Sequence, residues 1–272
     1  MTRDTLDKKE AIRSLVKTAV ESYATGFQAR HEGEVENPEG TLNMKIHNVF
    51  IAALGQDIQY YSALVRSLDS SLGNMLEKLA IGIAEFSYEV KREVQGQLGP
   101  EQTSKIADLL EKYKRREITP PTVEDYQSLR TKPTDHNLSV KRHDSDYYLI
   151  DKETGENFLI ELKIGGDLDN KKARSEKEAL LEQFAILSNT LPDDEKINIK
   201  FATAYNRYGE DKPWRQERVR QFFADDELMI GRDFWNFVCK SDDGYRTVLD
   251  AYKEHAHLIT EALDSIKATY LN

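Results

Sequence analysis

The chain has one cysteine, Cys239, in 272 residues, so it cannot form an intramolecular disulfide. Cys239 lies in an apolar stretch and reads as a core residue rather than a nucleophile. The six histidines are scattered, and no Cys/His cluster has the spacing of a zinc site. No apolar run approaches the ~20 residues of a membrane-spanning helix. The opening MTRDTLDKKEAIRSL has no apolar signal core, which predicts a cytoplasmic protein. An excess of positive charge is missing too: the formal net charge is −10. That counts against an indiscriminate nucleic-acid binder, which is normally basic. It does not exclude a nucleic-acid partner, because binding follows local charge. There is no internal repeat and no low-complexity segment.

What is present describes a polar globular protein, 39% hydrophobic and 32% charged, long enough for one large domain or two small ones. Apolar residues at helical spacing predict a helix over 6–30 and a largely buried one over 46–68. Ser70 or Ser71 can cap a third helix running to about Tyr88. Gly99-Pro100-Glu101 opens a helix to about Arg116, whose basic end complements the dipole. A short helix over 123–130 follows Pro120-Pro121. Asp167 to Asn170 can cap a helix over 171–188, and 197–205 alternates like a strand. Residues 206–215 read as a loop, 232–239 as a short helix and 245–270 as a long final one.

The segment HDSDYYLIDKETGENFLIELK, residues 143–163, carries the chemistry. It reads as a β-hairpin turning near Glu153-Thr154-Gly155-Glu156 and ending in Glu161-Leu162-Lys163. Side chains at i and i+2 share a face of a strand, so Glu161 and Lys163 point one way and Leu162 the other. Closing the hairpin brings Asp146 to the same end. Two carboxylates and an ammonium group can hold a divalent cation and activate a water beside it. Asp144 competes with Asp146 for this role, and Asp151, nearer the turn, is a third candidate.

Asp146 followed 15 residues later by Glu161-Leu162-Lys163 resembles the signature of the PD-(D/E)XK nucleases, which include many type II restriction endonucleases. Ser145 stands where that family commonly has proline. The stretch Gly73-Asn74-Met75-Leu76-Glu77 resembles the family's first core helix, which carries a glutamate toward the active site. The resemblance spans about half the chain, residues 73–238. Layout and the segment Gly231-Arg232-Asp233-Phe234-Trp235 look closest to enzymes reading GG-N-CC-type sites.

The resemblance implies an α/β fold: a restriction-endonuclease-like mixed sheet flanked by helices, with added N- and C-terminal helices. It implies a catalytic core over 70–240, with 1–69 and 241–272 as accessory, dimerising regions. It implies Mg²⁺, replaceable by Mn²⁺, on Asp146, Glu161 and the Leu162 carbonyl, with Lys163 at the attacking water and Glu77 assisting. The reaction would be hydrolysis of double-stranded DNA at a short palindrome, leaving 5′-phosphates. A palindrome has two scissile strands, so a homodimer is expected, together with a cognate DNA methyltransferase. Two basic stretches suit DNA: Lys171, Lys172, Arg174 and Lys177 at a helix start, and Asn206, Arg207, Tyr208, Lys212, Trp214, Arg215, Arg218 and Arg220 in and after a loop. The competing readings are a repair nuclease of the same core and a non-catalytic helical interaction protein.

Overall fold

The computed structural model of the protein describes residues 3–132 and 138–271, and the side chains of all of these except 3–5 and 143–146. The chain divides into two compact units. One is the chain through Ile83 together with the chain from Arg246, and the other is Ala84–Tyr245.

The second unit is built on a five-stranded mixed sheet in the order β1-β2-β3-β4-β5: Tyr88–Leu98, Ser139–Asp151, Asn157–Leu162, Ile197–Thr203 and Leu228–Ile230. β1, β2 and β3 are antiparallel neighbours, while β3, β4 and β5 run parallel. The hairpin β2–β3 turns where expected. Gly155 supplies the left-handed conformation, at φ 75°, that a side chain would strain. Asp151 accepts from the Glu153 and Thr154 amides at 2.8 and 3.2 Å and is paired with Lys240 at 2.9 Å. It is therefore a turn residue, and the structure removes it from the metal-ligand candidates.

β1 was not anticipated; the helix before it was expected to reach Tyr88. Its sequence, YEVKREVQGQL, is polar at most positions because β1 pairs only with β2 and buries only Tyr88, Val94 and Leu98. The short β5 was missed for its length.

Between β3 and β4 runs α5, Asn170–Thr190, with Asp169 accepting from the Lys172 amide at its start. Leu180, Leu181 and Phe184 of α5 meet Leu159, Ile199 and Phe201 of the sheet in one core. The helix lies close to β1: a Cβ on Gly96 would stand 2.6 Å from Ile186 Cγ2. α4, Pro100–Arg115, and the 3-10 helix Val123–Arg130 close the same core, through Ile106, Leu110, Tyr113 and Tyr126. On the opposite face, Phe158 meets Phe237 of α7, Arg232–Cys239, where Cys239 is buried as expected.

The first unit is helical. α1, Arg3–Gly33, packs on α9, His257–Leu271, and both pack on α3, Gln56–Ala84, around Phe27, Leu42, Tyr60, Leu64 and Ile266. α3 replaces the two helices expected over 46–68 and 70–88. Ser71 lies mid-helix, its hydroxyl donating back to the Ser67 carbonyl at 2.7 Å, since neither serine must cap when the helix runs on. The break falls earlier, at Gly55 with φ 98°, after a 3-10 turn Asn43–His47 and the short α2, Val49–Ala52. The expected final helix is also two, α8, Gly244–His255, and α9. Among the described residues no helix is long and apolar enough to cross a membrane.

Candidate active site

Leu159 faces α5 in the core, so Glu161, two residues on, shares that face. The ladder continues past the strand end: the Lys163 amide donates to the Ala202 carbonyl at 3.0 Å. Lys163 therefore also faces α5, while Leu162 is buried on the other side. The Lys163 ammonium pairs with the Glu161 carboxylate and with Glu176 of α5 at 3.2 Å. Burial works to lower the pKa of Lys163, but Glu161 and Glu176 outweigh it and hold it above the usual lysine range. In this arrangement Lys163 is an ammonium group shared between two carboxylates.

The β2–β3 pairing ends at Tyr147↔Ile160, one residue short of Asp146 on one strand and of Glu161 on the other. On its other side β2 carries a bulge. Lys91 pairs with Tyr148 and Glu93 with Asp144, so Ser145, Asp146 and Tyr147 stand against the single residue Arg92. A bulge bends the strand and re-aims its side chains, and bulges gather near active sites. The side chains of Asp144 and Asp146 lie outside the described residues.

Glu176 was missed by sequence reasoning. A signal existed: it falls between Ala173 and Leu180 at helical spacing, where an apolar residue would continue the buried stripe. Glu77 stands half-buried on α3, in the helical unit. Glu161, Glu176 and backbone carbonyls are hard oxygen donors, a chemistry that fits a divalent cation such as Mg²⁺. Among the described residues no three His, Cys, Asp or Glu side chains gather to hold an ion by themselves.

The expected DNA contacts separate into groups. Lys171, Lys172, Tyr208, Lys212, Arg215 and Arg218 are exposed. Arg174 is half-buried, with its Nε buried and unbonded. Arg207 is exposed but held by Asp167 at 2.7 Å, and Arg220, half-buried, by Asp225 at 2.8 Å. Asn206 spends its amide inside the loop, donating to the Lys212 carbonyl and accepting from the Tyr208 amide.

Two candidates are contradicted. Trp214 is buried against Phe201 and its ring approaches Gly166, so it is a core residue and not a stacking platform. Lys177 is fully buried and donates to both oxygens of Glu227 at 2.6 and 2.7 Å, out of reach of any phosphate. In the GRDFW segment Phe234 and Trp235 are buried and Gly231 starts α7 at φ 56°. Arg232 is paired with Glu210 and Asp211. Phe234 and Trp235 of this segment thus have a folding role.

The second unit is thus a mixed sheet flanked by helices, with Glu161-Leu162-Lys163 at the end of a hairpin strand beneath α5. A family model described as "Type II restriction endonuclease, HinfI" matches residues 8–256. The chain belongs to that family of type II restriction endonucleases, which are site-specific deoxyribonucleases. DNA is the substrate, and such enzymes are generally metal-dependent. Comparison with curated proteins and with solved structures gave no match.

Proposed function

We propose that the enzyme hydrolyses both strands of a short palindromic DNA site with Mg²⁺ and leaves 5′-phosphates. The observation that carries this is the pairing of Lys163 with Glu161 and Glu176 on the sheet face beneath α5, beside the β2 bulge. Asp146, Glu161 and the Leu162 carbonyl would hold the cation. When bound, the cation supplies charge stabilisation on the phosphoryl group and a more acidic water. Lys163, kept protonated by its two carboxylates, offsets phosphate charge and holds the attacking water by donating to it. Glu161 and Glu176 fix the position of that ammonium group. The exposed Lys171 and Lys172, at the start of α5, bind backbone phosphate, while Arg215, Tyr208 and Lys212 lie against the duplex.

Each chain carries one Glu161-Leu162-Lys163 site, and a palindrome has two scissile bonds, so the working enzyme is a homodimer. A cognate methyltransferase would protect the host's own sites. The test is digestion of plasmid DNA with Mg²⁺, with and without EDTA. Discrete bands that disappear with EDTA and in Lys163→Ala support this reading. Metal-independent cleavage, or a smear, refutes it.

A further inference from the structure

We propose that the face formed by the 3-10 turn Asn43–His47, α2 and the outer side of α3 is the subunit interface, with a second copy of this chain as its occupant. The proposal rests on the homodimer reading above and assigns it a surface. Ile46, Val49, Phe50, Leu54, Ile58 and Val65 are each about half exposed or more, and Phe50 is 83% exposed. Ile58 and Val65 lie at i and i+7 on α3, on the side opposite Tyr60 and Leu64, which face the core. Contiguous exposed apolar surface of this kind marks an interaction site.

Three observations select a second copy. The first is charge. Residues 48–56, NVFIAALGQ, contain no charged residue in a chain that is 32% charged. Residues 43–65 contain only Lys45 and Asp57, which cancel. Two chains of net charge −10 repel, and they meet at least cost where the local charge is zero. The second is size. Six apolar side chains between Ile46 and Val65 are about half exposed or more, and a stable interface takes ~800 Å² from each partner. The third is shape. A groove of about 560 Å³ is lined by Leu42, Ile46, His47, Tyr60 and Tyr270, and Ile46 on its rim also belongs to the exposed apolar set. The hydroxyl of Tyr60 is buried and has no hydrogen-bond partner among the described residues. A twofold axis pairs a patch with itself, so a knob and a hole on one patch fill each other across the axis.

Sedimentation velocity on the full chain tests this, with Phe50→Glu and, on α3, Ile58→Glu. Circular dichroism checks that each variant is folded. Val140→Glu, at an exposed apolar position on β2, serves as the control. Wild type and Val140→Glu should sediment at twice the 31.3 kDa chain mass. Phe50→Glu and Ile58→Glu should weaken dimerisation on the order of 100-fold, the scale of one lost hot-spot residue. Folded Phe50→Glu and Ile58→Glu variants that stay dimeric overturn the surface and leave the homodimer standing. A wild type that is monomeric with and without DNA, or that associates only with a different protein, overturns the homodimer reading itself.

Discussion

The two units of the molecule treat their apolar residues differently. The sheet unit puts Phe201, Phe222, Phe223 and Phe234 wholly inside, and the large hydrophobic side chains it exposes are Phe86, Val140, Tyr205 and Tyr208. The helical unit has its own core around Phe27, Tyr60 and Ile266, yet leaves Ile46, Val49, Phe50 and Leu54 largely exposed within nine residues of chain. The sheet unit spends its unusual features on chemistry: two carboxylates beside Lys163 and a bulge beside Asp146. The helical unit spends its own on surface. Among the described residues, the run of exposed apolar side chains close together in the chain belongs to the helical unit.

The comparison breaks most visibly at the catalytic face. Glu161→Ala and Lys163→Ala should each lower cleavage by about 10³-fold or more, the scale of losing one group that stabilises transition-state charge. A gel-shift assay should find DNA binding retained. Normal cleavage in either variant would place the chemistry elsewhere.

Next in size is the interior of the sheet unit. Glu227 accepts from Lys177, from Tyr126 at 2.8 Å and from the Ala224 amide at 2.7 Å. Burial pulls the pKa of Lys177 down, and Glu227 opposes that pull. Glu227→Ala leaves a buried ammonium group unpaired and should cost about 3–5 kcal/mol. Urea unfolding would measure it, and a cost below 1 kcal/mol would show that the network carries no stability.

The helical unit is sharpened by the interface variant. Monomeric Phe50→Glu should convert supercoiled plasmid mainly to the nicked form, because one site cuts one strand. Direct linearisation would show that two copies still act together.

A smaller effect is expected at Glu176→Gln, which removes one of two charges that hold Lys163. The maximal cleavage rate should fall about tenfold with DNA affinity unchanged, the pattern of a positioning group. A change in affinity alone would make Glu176 a DNA contact instead.

The smallest is at the hairpin turn. The pKa of Asp151 is lowered: burial works to raise it, but Lys240 and two backbone amides outweigh that. A depressed carboxylate contributes stability above its unfolded pKa and loses it as pH falls through the folded one. Lys240→Met should cost up to about 1 kcal/mol at neutral pH. The difference from wild type should fade in acid; a difference that persisted would point to lost packing, not charge.

The local steps of the fold were legible. The Asp169 cap, the Gly155 turn and the alternation ending in Glu161-Leu162-Lys163 each depend on residues a few positions apart. β1 was hidden because an edge strand with one partner shows little apolar alternation. The single α3 was hidden because serines cap helices in some settings and sit within them in others.

The sequence by itself determined the hairpin, the shared face of Glu161 and Lys163 and the class of chemistry, because strand geometry links neighbours two residues apart. Tertiary structure alone brought Glu176 to Lys163 and set the bulge at Asp146. It buried Lys177 and Trp214 and left Phe50 outside. Each of these depends on contacts between segments far apart in the chain, and only packing decides which side of a helix meets a core and which meets water.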